Sequence, residues 1–412
     1  FDEGAGIFLG GEATLTPTVA NSVTPGVGNV IINDNLIQGN KAGNIGGGIS
    51  LVRYNGLDVQ NNPLNIVPTI AGSTPAWHKA RIYNNMIVNN ISAGVGGGIG
   101  ILDAIDVDIV HNTISNNDAT ATGETAFGNV PFVEGPFALI DKVTTPQPAG
   151  IGVQQLSGEL VSKIDASLQA GYQDFTRAPL IANNIITGNF SYYWSNPAIN
   201  TIATLSPYVF WDVGVFGSPT AKLTVTNSIL TDPALQVKTD QIVASVTNKT
   251  TDPKFVQTYR NVIDAFQGGA TLGNFITFSY SPMTLTGNYH IKGSSSAIGA
   301  GSLTPGVDSV GVALLATDYD GDLRPIRNPK NPDSGADEYN NQGDVNSDDQ
   351  IDFTDVMLVL RQVMLAPAAQ DPVIKSLGDV YPLKNGRPFG DSVLDLSDAL
   401  LLLQRAAGFI AW

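Results

Sequence analysis

The sequence predicts an all-β parallel solenoid over residues 1–339, followed by a small α-helical module with two acidic, metal-binding loops over residues 343–412. Two observations predict it. Short Asn- and Ile-rich segments recur without gaps, and the stretch GDVNSDDQIDFTD (343–355) places oxygen-bearing side chains at alternate positions.

IINDNLIQGN (31–40), RIYNNMIVNN (81–90), DIVHNTISNN (108–117), LIANNIITGN (180–189) and LTVTNSILTD (223–232) align directly. In that register Asn35, Asn85, Asn112, Asn184 and Asn227 share one column. Ile37, Ile87, Ile114, Ile186 and Ile229 share a second, and Asn40, Asn90, Asn117, Asn189 and Asp232 a third. A glycine-rich set accompanies them: GAGIFL (4–9), GGGISL (47–52), GGGIGI (97–102) and AGIGV (149–153). Short β-branched stretches that end in Asn or Gly, without helical periodicity, describe coils of parallel strands stacked about 4.8 Å apart. Asn suits such a bend because it tolerates left-handed backbone and its amide can bond the Asn one coil above. Crossover connections between parallel strands favour the right-handed sense.

The first Asn column advances by 50, 27, 72 and 43 residues. The shortest interval is near one bare coil; 50 and 43 read as two coils, or as a coil plus a loop. The longest contains an excursion at about 118–178, where SGELVSKIDASLQAGYQDF predicts a short helix starting at Ser157.

These repeats resemble the right-handed parallel β-helix proteins of the pectate-lyase-like superfamily. TDPKFV (251–256), GNYHIKGSSSAIGAGS (287–302), DYDGDLRP (318–325) and DSGADEY (333–339) are similar to the closing segment of bacterial surface β-helix proteins, with DSGADEY as the last strand. The resemblance implies the fold and leaves the activity open, since lyases, hydrolases, epimerases, adhesins and inert stalks share it.

After a linker at 340–342, counting Asp344 as position 1 puts Asn346 at 3, Asp348 at 5, Gln350 at 7, Asp352 at 9 and Asp355 at 12. That is the ligand spacing of an EF-hand-type calcium loop, with Gln350 contributing its backbone carbonyl. Asp349 stands at position 6, where Gly is usual, and Asp355 stands where Glu is usual. A second copy holds Asp379 at position 1, Asp391 at 5, Asp395 at 9 and Asp398 at 12, with eight extra residues before Asp391 and no certain occupant of position 3. Ile351 and Leu394 are the apolar residues at position 8, and a helical stretch follows each loop. Two such loop–helix repeats resemble a type I dockerin. The resemblance implies two Ca2+ ions and a protein partner, cohesin-like or a second copy. Positions 10 and 11, Phe353–Thr354 and Leu396–Ser397, are then expected to select that partner; the inserted second loop is similar to dockerin-like modules outside cellulosomes.

A net charge of −16 argues against nucleic acid, whose phosphates demand Lys and Arg. The absence of Cys closes off disulfides and thiolate chemistry, and three dispersed histidines, His78, His111 and His290, make a His-based metal cluster improbable. No apolar run is long enough to span a membrane. FDEGAGIFLGGE begins inside patterned sequence, so a preceding segment is expected. For catalysis, the dense acidic patch is Asp103, Asp106 and Asp108. Aligning Asn85 with Asn112 sets Lys79 beside Asp106 and Arg81 beside Asp108, as either cross-strand salt bridges or a uronate-binding or catalytic patch. SYYWSN (191–196) and YVFW (208–211) either cover the core or stack on sugar rings. The expected function is adhesion or assembly, secreted or at the cell surface, with an open solenoid end that permits polymerisation. The alternative is a dockerin-tethered lyase or hydrolase acting on acidic polysaccharide.

Overall fold

The computed structural model describes residues 6–11, 23–61, 77–123, 126, 142–164, 179–196, 204–218, 220–267, 276–279, 287–325, 331–346, 348, 350–384 and 387–410. The chain divides into two compact units: residues 1–290 with 296–338, and residues 339–412 with 291–295.

In the first unit short parallel strands stack into sheets, an arrangement compatible with a parallel β-helix or solenoid. One sheet stacks Ile7–Gly10, Ile49–Val52, Ile99–Leu102, Ile151–Gln154 and Val213–Phe216. The next begins with Val30–Asn33, Lys79–Tyr83 and Asp106–Val110; a third holds Leu36–Gln38, Met86–Val88, Thr113–Ser115, Ile185–Thr187 and Ile229–Leu230. A fourth runs through Lys41–Ala42, Ile91–Ser92, Asp118–Ala119 and Phe190–Asn196. Each coil visits the sheets once in turn. Ile37, Ile87, Ile114 and Ile186 lie in register. Ile49, Ile82, Ile87, Ile99, Ile109 and Ile114 are almost wholly buried, each contributing roughly 1.5–3 kcal/mol through burial.

Between the second and third sheets the side-chain amides form a ladder, buried from Asn85 onward. The side-chain Oδ1 of Asn85 accepts from both the backbone N and Nδ2 of Asn35; Asn112 does the same for Asn85, and Asn184 for Asn112. A second ladder joins Asn40, Asn90, Asn117 and Asn189. The left-handed backbone belongs to the neighbouring column: Asp34, Asn84, His111, Asn183 and Asn227 all have φ between 49° and 58°. Stacking and bending are thus divided between adjacent residues. Gly98 shows why side chains are excluded nearby: a Cβ there would lie 2.7 Å from the Gly150 carbonyl oxygen.

The ladders end differently from the sequence alignment. Ile181 pairs with Val225 and Ile185 with Ile229, so the fifth repeat is shifted by one residue. Ser228, not Asn227, follows Asn184 in the first ladder, and Leu230 follows Ile186. In the second ladder Asp212, not Asp232, accepts from Asn189 Nδ2 at 3.0 Å and also from the Thr231 N–H at 2.8 Å.

The intervals of 50, 27 and 72 residues are all single coils, since the ladder hydrogen bonds cross them directly; the additional length is looped out. The 118–178 region is not one excursion, because Ile151–Gln154 within it takes its place in the first sheet. Ser157 does cap a helix, accepting from Leu160 N, but that helix is the single turn Gly158–Val161; residues 165–178 lie outside the described residues. The aromatic segments form the antiparallel pair Phe190–Asn196 and Thr204–Phe210, with Phe190 edge-on to Phe210. Trp194 and Trp211 are buried and therefore closed to sugar stacking, whereas Tyr208 is exposed.

DSGADEY forms no strand. Ser334 donates to the Asn227 carbonyl, Gly335 N to the Asn183 carbonyl, and Ala336 N to Thr113 Oγ1. Three consecutive residues thereby touch three successive coils. The segment crosses the strands as a strap, which is incompatible with pairing alongside one of them.

The second unit contains helices Phe353–Val363, Pro372–Gly378 and Leu396–Ala406. Asp352 and Asp395 cap the long ones, each in a capping box whose N3 carboxylate is Asp355 or Asp398. Val356 and Val359, then Ala399 and Leu402, fall three residues apart on the buried faces and join Val345, Val380 and Leu394 in one core. The eight extra residues of the second loop contain a hairpin, Leu383–Lys384 against Arg387–Pro388. No helix among the described residues is long and apolar enough to cross a membrane.

Candidate functional site

The two acidic loops of the second unit repeat one hydrogen-bond scheme. Asp355 Oδ1 accepts from Val345 N at 2.8 Å and Asn346 N at 3.2 Å, while Oδ2 accepts from Asp352 N at 2.9 Å. Asp398 Oδ1 accepts from Val380 N and Tyr381 N, both at 2.8 Å, and Oδ2 from Asp395 N at 2.8 Å. Asp355 and Asp398 are almost fully buried. Burial pushes the Asp398 carboxyl up, against these backbone donors, which favour its charged form. Asp352, in contrast, is only half-buried and is held below the usual carboxylate range by the Thr354 N–H.

At the loop entrances the match continues. Asp344 Oδ1 and Asn346 Oδ1 both accept from Asp348 N, so two oxygens converge on one point, and Asp348 Oδ1 accepts from Gln350 N. Asp379 accepts from Asp391 N and Ser392 N. The hairpin insertion therefore returns Asp391 to Asp379 despite the twelve-residue separation. Tyr381 is the structural counterpart of Asn346, and its side chain points no carboxylate or amide at the loop. Ser392, at position 6, has φ 69°, the left-handed geometry this position demands; Asp349, its counterpart in the first loop, lies outside the described residues. The first loop thus carries oxygen-bearing groups at Asp344, Asn346, Asp348, Gln350, Asp352 and Asp355, although among the described residues the group of His and carboxylate ligand atoms that lie within 4.8 Å of one another is in the first unit. The second offers Asp379, Asp391, Asp395 and Asp398 and lacks the third-position ligand.

The patch on the solenoid has the predicted strand register, Asp106 opposite Lys79 and Asp108 opposite Arg81, but different partners. Lys79 Nζ reaches both carboxylates, 3.4 Å from Asp106 and 2.9 Å from Asp108. Tyr83 donates to Asp108 at 2.7 Å, and Arg81 turns to Asp308 instead. Asp103 belongs elsewhere: it is buried and accepts from Ser157 N at 2.7 Å. Burial alone would lower the Lys79 pKa, yet Asp108 and Asp106 hold it above the ordinary value. Burial raises the Asp106 carboxyl in spite of Lys79. Lys79, Asp106, Asp108 and Tyr83 are thus joined in one ion and hydrogen-bond network.

A further cluster had no sequence signature. His290, Asp320 and Asp337 bring their ligand atoms within 4.8 Å of one another, a group that could hold a metal ion. His290 Nε2 lies 2.8 Å from Asp320 Oδ2 and its Nδ1 faces Asn288 Oδ1. Burial would lower the His290 pKa, but the Asp320 hydrogen bond and the charges of Asp337, Asp320 and Asp318 raise it to about 9. The remaining histidine of the strap region, His111, lines a cavity of about 230 Å3 with Arg324; burial and that guanidinium hold it neutral.

The described residues therefore define a class: stacked parallel strands together with a separate helical unit whose loops are built on aspartates. No protein-family model matches the chain, and neither a curated protein nor a solved structure matches it.

Proposed function

We propose that this is a secreted or cell-surface adhesion or assembly protein. A right-handed β-helix of the pectate-lyase-like type serves as its rigid body, and a dockerin-like module ordered by Ca2+ docks to a protein partner. The observation that carries the reading is the duplicated scheme in which Asp355 and Asp398 hold the start of their own loops. A solvated acidic tail has no reason to repeat those contacts twice. Exposed Phe353 and Met357 on one helix, and Leu396 and Leu400 at the same positions on the other, supply the apolar surface that a cohesin-like partner or a second copy buries.

Calcium titration of the full chain by calorimetry tests this. Binding is expected at the first loop, with thermal stabilisation of the module that EDTA reverses. At a free concentration of about 100 Kd the gain is about 2.7 kcal/mol. Absence of binding heat together with an unchanged melting profile would sink the calcium reading. Asp344→Asn should weaken the first site while leaving the solenoid transition in place.

A further inference from the structure

We propose that His290, Asp320 and Asp337 form a site for a borderline divalent metal ion of the Zn2+ class, acting as a cross-link within the solenoid unit. Three ligand-bearing side chains from separate segments meet within 4.8 Å, although 30 and 17 residues separate them along the chain. The imidazole distinguishes this group from the acidic loops. Ca2+ prefers oxygen ligands throughout, whereas a histidine with two carboxylates suits Zn2+ and its neighbours.

The tautomer supports this assignment. The backbone N–H of His290 donates to Asn288 Oδ1, which fixes the orientation of that amide. The same oxygen faces His290 Nδ1, so Nδ1 carries the proton and donates. Nε2 is then the nitrogen that faces Asp320 Oδ2, and it becomes a ligand when an entering cation displaces the proton between them. A histidine held through its other nitrogen in this way is the usual outer support of a metal-bound imidazole. With two ionised carboxylates the group carries two negative charges, which one divalent cation matches.

The carboxylate segments are also tied to each other. Asp318 Oδ1 accepts from Asp320 N and Asp322 N, and its Oδ2 accepts from Glu338 N, the neighbour of Asp337. Tyr319 N donates to the Ala336 carbonyl between them. One ion bound here closes loops through three segments of a chain that contains no cysteine, the service a disulfide gives elsewhere. Three protein ligands leave a further coordination position for water on the half-exposed side of His290 and Asp320.

The test is a Zn2+ titration of the full chain already saturated with Ca2+, so that the acidic loops are filled. One equivalent is expected to bind and to raise the melting temperature of the solenoid. His290→Ala should lower that affinity at least ~100-fold, and Asn288→Ala by roughly 10-fold, the size expected for an outer support. Co2+ added in place of Zn2+ should give a visible absorption band that His290→Ala removes. If His290→Ala disturbs folding, Asp337→Asn offers the milder variant, with circular dichroism as the check. No saturable Zn2+ binding, or binding unchanged in both variants, overturns the proposal. The calcium titration is read separately, so either reading can fail without the other.

Discussion

The Asn ladders of the solenoid and the acidic loops of the helical unit both use short polar side chains to hold bends. An amide donates and accepts, so each Asn can satisfy the coil on either side of it. A carboxylate only accepts. In the loops it collects backbone N–H groups, and successive aspartates add charge of one sign. Among the described residues no Lys or Arg forms an ion pair with Asp348, Asp355, Asp379, Asp391, Asp395 or Asp398. The contrast teaches that a neutral stack satisfies donors and acceptors together, whereas a carboxylate loop satisfies only donors and leaves its charge unmatched by Lys or Arg.

The largest effect that sharpens this contrast is expected within the ladder. The Asn112 side chain makes five hydrogen bonds: to the Ile82 and Val110 carbonyls, to Asn184 Oδ1, and from the backbone and side-chain nitrogens of Asn85. Asn112→Ala leaves several buried partners unmatched and should cost about 4 kcal/mol in urea unfolding. Asn35, at the exposed end of the ladder, should lose under about 1 kcal/mol on the same change. Equal losses at the two positions would show that the ladder is not what makes the stack cohesive.

Protonation provides the next test. Burial pushes the Asp118 carboxyl up to about 7, against the Asn261 amide and Arg260, which favour the charged form. The folded chain therefore binds more protons than the unfolded one between about pH 4 and pH 7. Stability from this group is present in full below pH 4, falls as pH rises through 7, and is flat beyond. The expected loss is on the order of 4 kcal/mol, and Asp118→Asn should flatten that part of the pH profile of chemical unfolding. A calcium loop should slope the other way, because its ligands bind only when deprotonated. Parallel profiles for the two units would remove the distinction.

How much of this was legible in the sequence depended on whether partners recur. The first four ladder positions could be aligned by eye because every coil repeats the same Asn at the same distance from the same Ile. The fifth could not, because Ser228 stands in for Asn and Leu230 for Ile, leaving Asn227 as a false match. Asp212 enters the second ladder from the first sheet, so no column contains it. The acidic loops were readable because their contacts are local. Asp103 sat close in sequence to Asp106 and Asp108, yet its bend, with φ 53°, turns it to Ser157. The Arg81–Asp308 pair and the His290 cluster join distant segments, which spacing alone does not reveal.

The smallest effect separates two reasons why the second loop would hold the proposed cation less tightly than the first. Either its eight-residue insertion misplaces Asp391, or the loop simply lacks a ligand at position 3. The Asp379–Asp391 contact at 2.9 Å argues against misplacement. Tyr381 occupies the position of Asn346, donates its backbone N–H to Asp398 as Asn346 does to Asp355, and leaves its ring half exposed. Tyr381→Asp keeps that backbone bond and adds the missing carboxylate at little packing cost. Calcium affinity at the second loop should rise about 10-fold, or about 1.4 kcal/mol, while the first stays unchanged in a two-site calorimetric titration. An unaltered second site would place the defect in the hairpin. Deleting the eight residues, with Tyr381 kept, would then be the change that restores binding.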